Sequence, residues 1–260
     1  MSRDIFGKAL MGYYKGDKTP LMIRRDDGYV EKERFLDIVF SEYDKWDEFE
    51  RMALEHVKGM TLDVGCGAGR HSLWLQEKGF EVVAVDVSPL AVEVSKSRGV
   101  RDCRVMDATN LSFPPISFDT ILLMGNNFGV AGNAEGTKRM FEKFYQITSK
   151  DAVVIATSRD PTVTDNPEHL KYHEFNRKRG RPIGQVTIRF EYKGEAGDWF
   201  DLLLASPDEI EEICKLVGWD LDRIFKGKND MYAAILRKVP KELPVGTNRG
   251  SNPHFNFCRN

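Results

Sequence analysis

The chain has 260 residues, of which 41% are hydrophobic and 30% charged, so it can bury a full core beneath a polar surface. Its formal net charge of −2 argues against a nucleic-acid partner, because neutralising phosphates favours basic surfaces. No apolar run approaches the roughly 18–20 residues that span a bilayer, and the first residues lack an export signal. We therefore expect a cytoplasmic protein without a membrane partner. The four cysteines form no Cys-x-x-Cys pair, which predicts free thiols.

The N-terminal segment, residues 1–58, is expected to be a helical lid or cap. Apolar residues recur there at helical spacing in two groups, Phe6, Leu10, Tyr13 and Tyr14 in the first and Phe49, Met52, Ala53 and His56 in the second. This spacing favours two packing helices. An alternative that stays open is a lid that closes over a bound ligand, with Tyr14 or Tyr43 near it.

Residues 59–239 are expected to form the main domain. Between residues 60 and 157, β-rich runs are predicted as strands at Met60–Val64, Glu81–Val85, Cys103–Met106, Thr120–Met124 and Ala152–Ala156. The stretches with helical spacing between them are Arg70–Lys78, Leu90–Ser97 and Ala134–Thr148. Helices that alternate with strands in this way predict a parallel, doubly wound α/β sheet.

Residues 158–205 are expected to be an insertion that caps the substrate pocket. Asp160–Pro182 is rich in Pro, Asn, Asp and basic residues, which predicts a loop or an irregular cap. Apolar and polar residues alternate over Val186–Tyr192, as in a half-buried strand. After a turn at Lys193–Gly197, the run Trp199–Ala205 can return as the partner strand.

The end of the chain continues this alternation. Ser206-Pro-Asp-Glu209 has capping-box spacing and predicts a helix through Leu216. Two β-like runs follow at Leu221–Phe225 and Tyr232–Leu236. Residues 240–260 are polar and rich in Pro, Gly and Asn, which predicts a tail.

A glycine-rich loop, Gly65-Cys66-Gly67-Ala68-Gly69, follows the first predicted strand directly after Asp63-Val64. Glycine allows a sharp turn and the close approach of a ligand to the main chain. The helix that opens at Arg70 adds unpaired N–H groups. The spacing is Gly-x-Gly-x-Gly, whereas dinucleotide folds seat a pyrophosphate on Gly-x-Gly-x-x-Gly. The loop therefore favours a nucleoside without phosphates and disfavours an NAD-dependent dehydrogenase, and we expect the segment Asp63–Arg70, with Asp63 and all three glycines, to bind that ligand.

Three further groups follow the next three strands. Asp86-Val87 ends the second strand, where a carboxylate can accept both ribose hydroxyls. Asp107-Ala108 follows the third strand, where a carboxylate can bind the adenine amine and a backbone N–H a ring nitrogen. Met124-Gly125-Asn126-Asn127-Phe128 follows the fourth strand and faces the place of a reacting group. Carboxyl ends of successive strands form the ligand edge of such sheets, so these groups predict one site.

These motifs resemble those of the class I S-adenosylmethionine-dependent methyltransferases, and the resemblance covers most of residues 43–238. It implies a Rossmann-like, seven-stranded sheet, S-adenosyl-L-methionine as cofactor and S-adenosyl-L-homocysteine as product. The extension Gly69-Arg70-His71 resembles small-molecule and tellurite-resistance-type members. In those members the arginine lies near the methionine end of the cofactor, which implies the same role for Arg70.

The loop after the fourth strand is similar to that of glycine N-methyltransferase, where it touches cofactor and amino-acid substrate. The resemblance implies that Met124 and Gly125 contact the cofactor, while the departure at Asn127 leaves the acceptor open. Methyl transfer from a sulfonium is an in-line displacement to which a protein contributes positioning and electrostatics. We expect Gly125 and Asn126 to orient the acceptor, with a further hydrogen bond from Asn127 or Tyr14.

Two other patterns have plainer interpretations. His169 and His173 have one-turn spacing for a metal, but the segment after Pro167 reads as a loop without a third ligand, so no metal is expected. Arg177-Lys-Arg-Gly-Arg-Pro182, the basic segment, resembles the AT-hook of minor-groove binders. It occurs once in a slightly acidic protein, so a solvated basic turn is the favoured interpretation.

The leading hypothesis is an enzyme that methylates a small-molecule substrate. A protein methyltransferase stays open, as does a non-catalytic cofactor-binding regulator with weak DNA contact through the basic segment. Aminopropyl transfer occurs on the same fold, but its acidic motif is not evident after the fourth strand. The sequence leaves the oligomeric state unknown.

Overall fold

The computed structural model describes residues 4–31, 35–228 and 230–240. Residues 241–260 of the expected tail lie outside the described residues. The helices are α1 (Ile5–Tyr14), α2 (Phe35–Val39), α3 (Glu48–Leu54), α4 (Arg70–Glu77), α5 (Pro89–Arg98), α6 (Ala134–Ile147), α7 (Pro167–Lys178) and α8 (Pro207–Lys215). The strands are β1 (Met22–Arg25), β2 (Val30–Glu31), β3 (Thr61–Val64), β4 (Val82–Asp86), β5 (Asp102–Val105), β6 (Phe118–Leu123), β7 (Thr148–Arg159), β8 (Gln185–Tyr192), β9 (Glu195–Ala196), β10 (Phe200–Leu203), β11 (Trp219–Lys226) and β12 (Met231–Lys238).

Seven strands form a large sheet in the order β11-β12-β7-β6-β3-β4-β5. Strands β3 to β7 pair in parallel, and β12 runs antiparallel to both β7 and β11. Strands β3 and β4 are buried at every residue, as expected of a parallel sheet with helices on both faces. The predicted doubly wound α/β sheet is thus confirmed, with strand bounds that shift by a few residues.

Helix α8 begins where its capping sequence predicts. The Ser206 hydroxyl oxygen accepts a hydrogen bond from the backbone N–H of Glu209 at 3.3 Å. The Glu209 carboxylate in turn accepts from the backbone N–H of Ser206 at 2.8 Å. This reciprocal pair satisfies two N–H groups at the start of the helix, so the predicted capping box is confirmed.

A second sheet joins two parts of the chain that are far apart in sequence. Its order is β10-β8-β1-β2, and β9 pairs with the C-terminal end of β8. The predicted antiparallel pair of β8 and β10 is confirmed. The other neighbour of β8 is β1 from the N-terminal segment, in a register that places Met22 opposite Glu191. The expectation of helices alone in residues 1–58 missed β1 and β2, although α1 and α3 lie where helical spacing predicts them.

Helix α7 occupies a segment for which the sequence predicts a loop. The prediction of a loop or an irregular cap over Asp160–Pro182 is wrong for Pro167–Lys178. The Asn166 side chain accepts a hydrogen bond from the backbone N–H of Glu168 at 2.9 Å, and a proline follows it in the first helical turn. The buried amide of Asn176 donates to the backbone carbonyls of Pro182 and Ile183 in the loop after the helix and to that of Gln185 at the start of β8. These contacts fix α7 against the second sheet despite its polar composition.

No helix among the described residues combines the length and the apolar character needed to cross a bilayer.

Candidate active site

A cavity of about 860 Å³ opens at the carboxyl ends of β3, β4, β5 and β6. Pockets that bind small molecules have volumes of about 300–1,000 Å³, so this cavity is large enough for an extended ligand. One wall consists of the loops that follow the four strands. The others are formed by α1 and α2, by the inner face of the second sheet and by α7.

The glycine-rich loop forms the floor of the cavity at one end. Gly65, Gly67 and Gly69 have φ angles of 74°, 57° and 77°, a conformation that other residues rarely adopt. A Cβ atom at Gly65 would lie 2.3 Å from the amide nitrogen of Asn127, and one at Gly69 would lie 2.6 Å from Val100. The conformation and the close neighbours together require glycine and leave a cradle of bare main chain.

Asp86 lies beneath this cradle at the end of β4. Its carboxylate accepts a hydrogen bond from the backbone N–H of Gly67 at 2.9 Å and one from that of Ser88 at 2.9 Å. Burial raises the pKa of Asp86 to about 6, although both backbone hydrogen bonds oppose the shift. The side chain is therefore a carboxylate at the cavity wall that ionises near neutral pH.

Asp107 and Ala108 line the next stretch of the wall, after β5. One Asp107 oxygen caps a short turn, because it accepts hydrogen bonds from the backbone N–H and the hydroxyl of Thr109 at 2.8 Å and 2.7 Å. Asp107 itself is exposed. Val87, which follows Asp86, also lines the cavity and is 68% exposed, so its side chain faces open space.

Arg70 lines the cavity at the start of α4 and is held by Glu50 of α3, a contact that the sequence did not predict. The same Glu50 oxygen lies 2.7 Å from Nε2 of His71. A second Arg70 nitrogen donates to the Ser41 hydroxyl at 3.2 Å, and its guanidinium lies 5.0 Å from the Trp46 ring. Burial alone would raise the pKa of Glu50, but the contacts with His71 and Arg70 bring it below its usual value.

Two of the predicted cofactor residues lie behind the wall rather than on it. Asp63 is fully buried and accepts a hydrogen bond from the Ser72 hydroxyl at 2.6 Å, which ties β3 to α4. Gly69 packs against Ser95 and Val100. The others line the cavity as the sequence expects, namely Gly65, Cys66, Gly67, Arg70, Asp86, Val87, Asp107, Ala108, Met124 and Gly125.

The loop after β6 carries Asn126 into the cavity wall in a left-handed conformation, with φ of 68°. Its backbone N–H donates to the Thr157 hydroxyl at 3.2 Å. Its side-chain oxygen Oδ1 is buried and has no hydrogen-bond partner among the described residues. A buried acceptor without a donor costs about 1–3 kcal/mol, and nearly all such groups are satisfied in folded proteins. The geometry therefore fits a ligand that brings an N–H or O–H group to Asn126.

Asn127 and Tyr14, both expected near the acceptor, make other contacts. The Asn127 amide nitrogen donates to the carbonyls of Val64 and Gly65 at 3.0 Å and 3.1 Å. These two hydrogen bonds brace the glycine loop, and because Asn127 also lines the cavity, its contact with the acceptor stays a prediction. The Tyr14 hydroxyl donates to the Ser97 carbonyl at 3.2 Å, and the residue does not line the cavity. Because α1 packs along α5, its C-terminal end lies on the outer surface.

The lid hypothesis placed tyrosines at the ligand, but other residues of the same segment line the cavity. Phe6 of α1 and Val39 of α2 lie beside Gly67, with atoms within 4 Å of the space where a Cβ would be. Tyr43 instead stacks on Trp74 with ring centroids 4.7 Å apart. The helices of the N-terminal segment thus cover the glycine loop with apolar side chains.

The histidine pair and the basic segment are both engaged within the protein. Burial lowers the pKa of His169 and that of His173, and no metal-binding group of three or more residues occurs in the described parts of the chain. The basic segment begins inside α7, so it is not simply a solvated turn. Its arginines pair with carboxylates of the same chain, Arg177 with Glu174, Arg179 with Asp26 and Arg181 with Asp201.

Comparison with known proteins gives the same picture. A family model described as a methyltransferase domain matches residues 61–151. The crystal structure of an S-adenosylmethionine-dependent methyltransferase from Bacteroides fragilis, in complex with S-adenosyl-L-homocysteine, is 30% identical with a TM-score of 0.78, covering 92% of this chain and 96% of that chain. A glycine/sarcosine N-methyltransferase from Aphanothece halophytica is 21% identical over 232 residues, which are 78% of this chain and 85% of that protein.

The seven-stranded sheet, with a Gly-x-Gly-x-Gly loop at its carboxyl edge, defines a Rossmann-like enzyme that binds a nucleoside without phosphates. With the identity and coverage shared with the Bacteroides fragilis enzyme, the chain belongs to the class I S-adenosylmethionine-dependent methyltransferases. The predicted family, fold class and cofactor, S-adenosyl-L-methionine, are therefore confirmed.

Proposed function

We propose that this enzyme transfers a methyl group from S-adenosyl-L-methionine to a small-molecule acceptor by in-line displacement. The observation that carries the proposal is the buried, unsatisfied Oδ1 of Asn126 in the wall of a cavity that also contains the glycine loop. When bound, the cofactor supplies a methyl group on a sulfonium, so the protein has to align an acceptor with it. Glycine/sarcosine N-methyltransferases among the relatives support a small acceptor.

The residues that line the first end of the cavity fit the cofactor. Gly65 and Gly67 line the cavity without side chains, which lets a ligand approach their main chain closely. In this proposal Asp86 accepts the ribose hydroxyls, and Asp107 with the N–H of Ala108 binds adenine; all three residues line the cavity. In this assignment Arg70 binds the carboxylate of the methionine moiety. Cys66, Val87, Met124 and Gly125 complete the wall.

Asn126 is assigned to the acceptor. Its buried oxygen has no donor among the described residues, so an N–H or O–H group of the acceptor is assigned as its partner, and Thr157 fixes its backbone. Bonding one hydrogen of the acceptor would orient the lone pair of the attacking atom. Gly125, with φ of 68°, allows the loop to turn into the cavity at this point. The residue thus contributes orientation, which is the main task of a protein in this reaction.

The test replaces Asn126 after a methyl acceptor has been found by screening amines, thiols, phenols and carboxylic acids with labelled methyl donor. We expect Asn126→Ala to lower turnover by about 10–100-fold, since one oriented hydrogen bond is lost. Affinity for S-adenosyl-L-homocysteine, measured by calorimetry, should change less than threefold. The control is Asn110→Ala, at an exposed residue outside the cavity wall. Unchanged turnover of Asn126→Ala would contradict the assignment.

A further inference from the structure

The end of the cavity at the second sheet has a different chemical character from the end at the glycine loop. There the inner face of the second sheet forms the wall. Three pairs of apolar residues lie directly opposite each other across its strands, Ile23 and Phe190, Ile188 and Phe200, and Val186 and Leu202. All six line the cavity. Because opposite residues of paired strands share one face, they form a single patch, which we call the apolar wall.

The apolar wall faces open space. None of its six side chains is fully buried, and Phe200 is 36% exposed. Phe190 contacts a ring on each side, with Phe6 at 5.2 Å and Phe200 at 5.4 Å between centroids. The opposite face of the sheet bears polar side chains, as in the ion pair of Arg24 with Glu191. An amphipathic sheet normally turns its apolar face onto a core, and here that face is turned towards a cavity instead.

Two arginines line the cavity beside the apolar wall, and one of them, Arg25, lies directly opposite Ile188 across the paired strands. Arg25 is buried, donates two hydrogen bonds to the Asp27 carboxylate at 2.9 Å and 2.8 Å, and lies 4.1 Å from the Tyr172 ring. Arg159 lies 3.7 Å from the Glu31 carboxylate and 3.4 Å from that of Asp230. Each cation is thus balanced by a carboxylate within the protein. This end of the cavity is suited to a neutral group rather than to a free anion.

We infer that the acceptor is a compound with a neutral, apolar body of at least one ring, which covers the apolar wall and presents an N–H or O–H group to Asn126. The inference rests on the proposed function and specifies its substrate class. Glycine or another small polar acceptor would satisfy Asn126 but would leave the six apolar side chains in contact with water. A ring system would remove that surface from water and gain affinity by hydrophobic burial.

The experiment measures binding rather than turnover. The protein is saturated with S-adenosyl-L-homocysteine, and five probes are titrated by saturation-transfer NMR and calorimetry. Aniline and phenol have a ring and a donor, toluene has the ring alone, and glycine and ethanolamine have donors without a ring. We expect aniline and phenol to bind at least tenfold more tightly than glycine and ethanolamine, and toluene to lie between the two groups. Equal or tighter binding of glycine would overturn the inference.

Variants of the apolar wall provide the second arm. Ile188→Asn should weaken the binding of aniline at least tenfold, while the affinity for S-adenosyl-L-homocysteine changes less than twofold. Val186→Thr, which is nearly isosteric, should weaken it severalfold and serves if the first variant does not fold. The control is Leu216→Asn, the same kind of change at a residue that is 70% exposed and outside the cavity wall. Unchanged aniline binding in a folded wall variant would also overturn the inference.

The two proposals fail in different ways. If the protein binds no S-adenosyl-L-homocysteine, the proposed function fails and the acceptor class has no site. If it binds S-adenosyl-L-homocysteine and methylates small polar amines without preference for rings, only the inferred class is wrong.

Discussion

The two ends of the cavity differ in how the chain builds them. The end with the glycine loop comes from consecutive strand-loop-helix units between β3 and the loop after β6, so each binding group follows its own strand. The end with the apolar wall joins β1 to β8, which are about 160 residues apart in sequence. The first end combines bare main chain with charged side chains, and the second consists of apolar side chains. Because the two ends consist of different residues, a substitution at one end can leave the other unchanged. Experiments can therefore test each end by itself.

The largest effect is expected for Asp86→Asn at the glycine-loop end. The amide keeps one acceptor oxygen, so it loses one charge-assisted hydrogen bond to the ribose, worth about 1.5–3 kcal/mol. We expect affinity for S-adenosyl-L-homocysteine, measured by calorimetry, to fall about 100-fold. Asp102→Asn is the control, since Asp102 pairs with Arg104 on the surface. If aniline binding, measured without S-adenosyl-L-homocysteine, falls to the same extent, the two ends of the cavity are not independent.

The pH dependence of cofactor binding provides a gentler test of the same carboxylate. Ribose hydroxyls donate to the ionised form, so protons compete with the ligand once the pH falls below the pKa of Asp86, about 6 in the unliganded protein. Affinity for S-adenosyl-L-homocysteine should be constant above pH 7 and fall by up to about tenfold per pH unit below pH 6. Asp86→Asn should abolish this slope. A slope that persists in the variant would assign the titration to another group.

Burial of Asp86 has the opposite consequence for stability. Its folded pKa is raised above the unfolded value, so the group favours the folded state while protonated and loses that contribution as pH rises through about 6. Ligand binding, by contrast, improves over the same range. Thermal denaturation across pH 5–7 with and without S-adenosyl-L-homocysteine should therefore show ligand stabilisation that grows with pH.

Glu50 extends the glycine-loop end into the N-terminal segment. Glu50→Gln removes the charge that holds Arg70, and breaking a buried ion pair costs about 3 kcal/mol in the free energy of unfolding, measured by denaturant titration. We expect affinity for S-adenosyl-L-homocysteine to fall about tenfold through misplacement of Arg70. Binding of 5′-methylthioadenosine, which lacks the amino-acid moiety, should change little. Glu48→Gln, an exposed residue of the same helix, is the matched control.

If Glu50→Gln weakens both ligands equally, Glu50 supports the fold in general and does not position Arg70.

The two ends also differ in how many of their residues and contacts the sequence predicts. Asp86 and Asp107 were predicted because each follows its own strand, so a local pattern contains the information. The partner of Arg70 was not, because only tertiary packing brings Glu50 of α3 against α4. The sequence predicts the pairing of β8 with β10 but contains no pattern that places β1 on the other side of β8, so Ile23 and the position of the apolar wall in the cavity could not be predicted.

Two local patterns indicate structure that differs from what the composition of the surrounding segment predicts. Asp27-Gly28 between β1 and β2 is a strong hairpin sequence, and it lay in a segment interpreted as helical. Asn166-Pro167 has the cap and first-turn proline of a helix start, and it lay in a segment whose polar residues suggested a loop. In both places tertiary contacts with β8 or its flanking loop stabilise what the composition disfavours.

The smallest effect is expected for Tyr14→Phe, which tests how far the N-terminal segment takes part in either end. The change removes one exposed hydrogen bond to the Ser97 carbonyl and leaves the cavity wall intact. Turnover and affinity for S-adenosyl-L-homocysteine should each change less than twofold. Phe6→Ala, in the same helix, removes a ring that lines the cavity beside Gly67 and should weaken binding severalfold. A large loss of turnover in Tyr14→Phe with unchanged cofactor affinity would contradict this expectation. It would mean that α1 moves during the reaction and brings its C-terminal end to the acceptor.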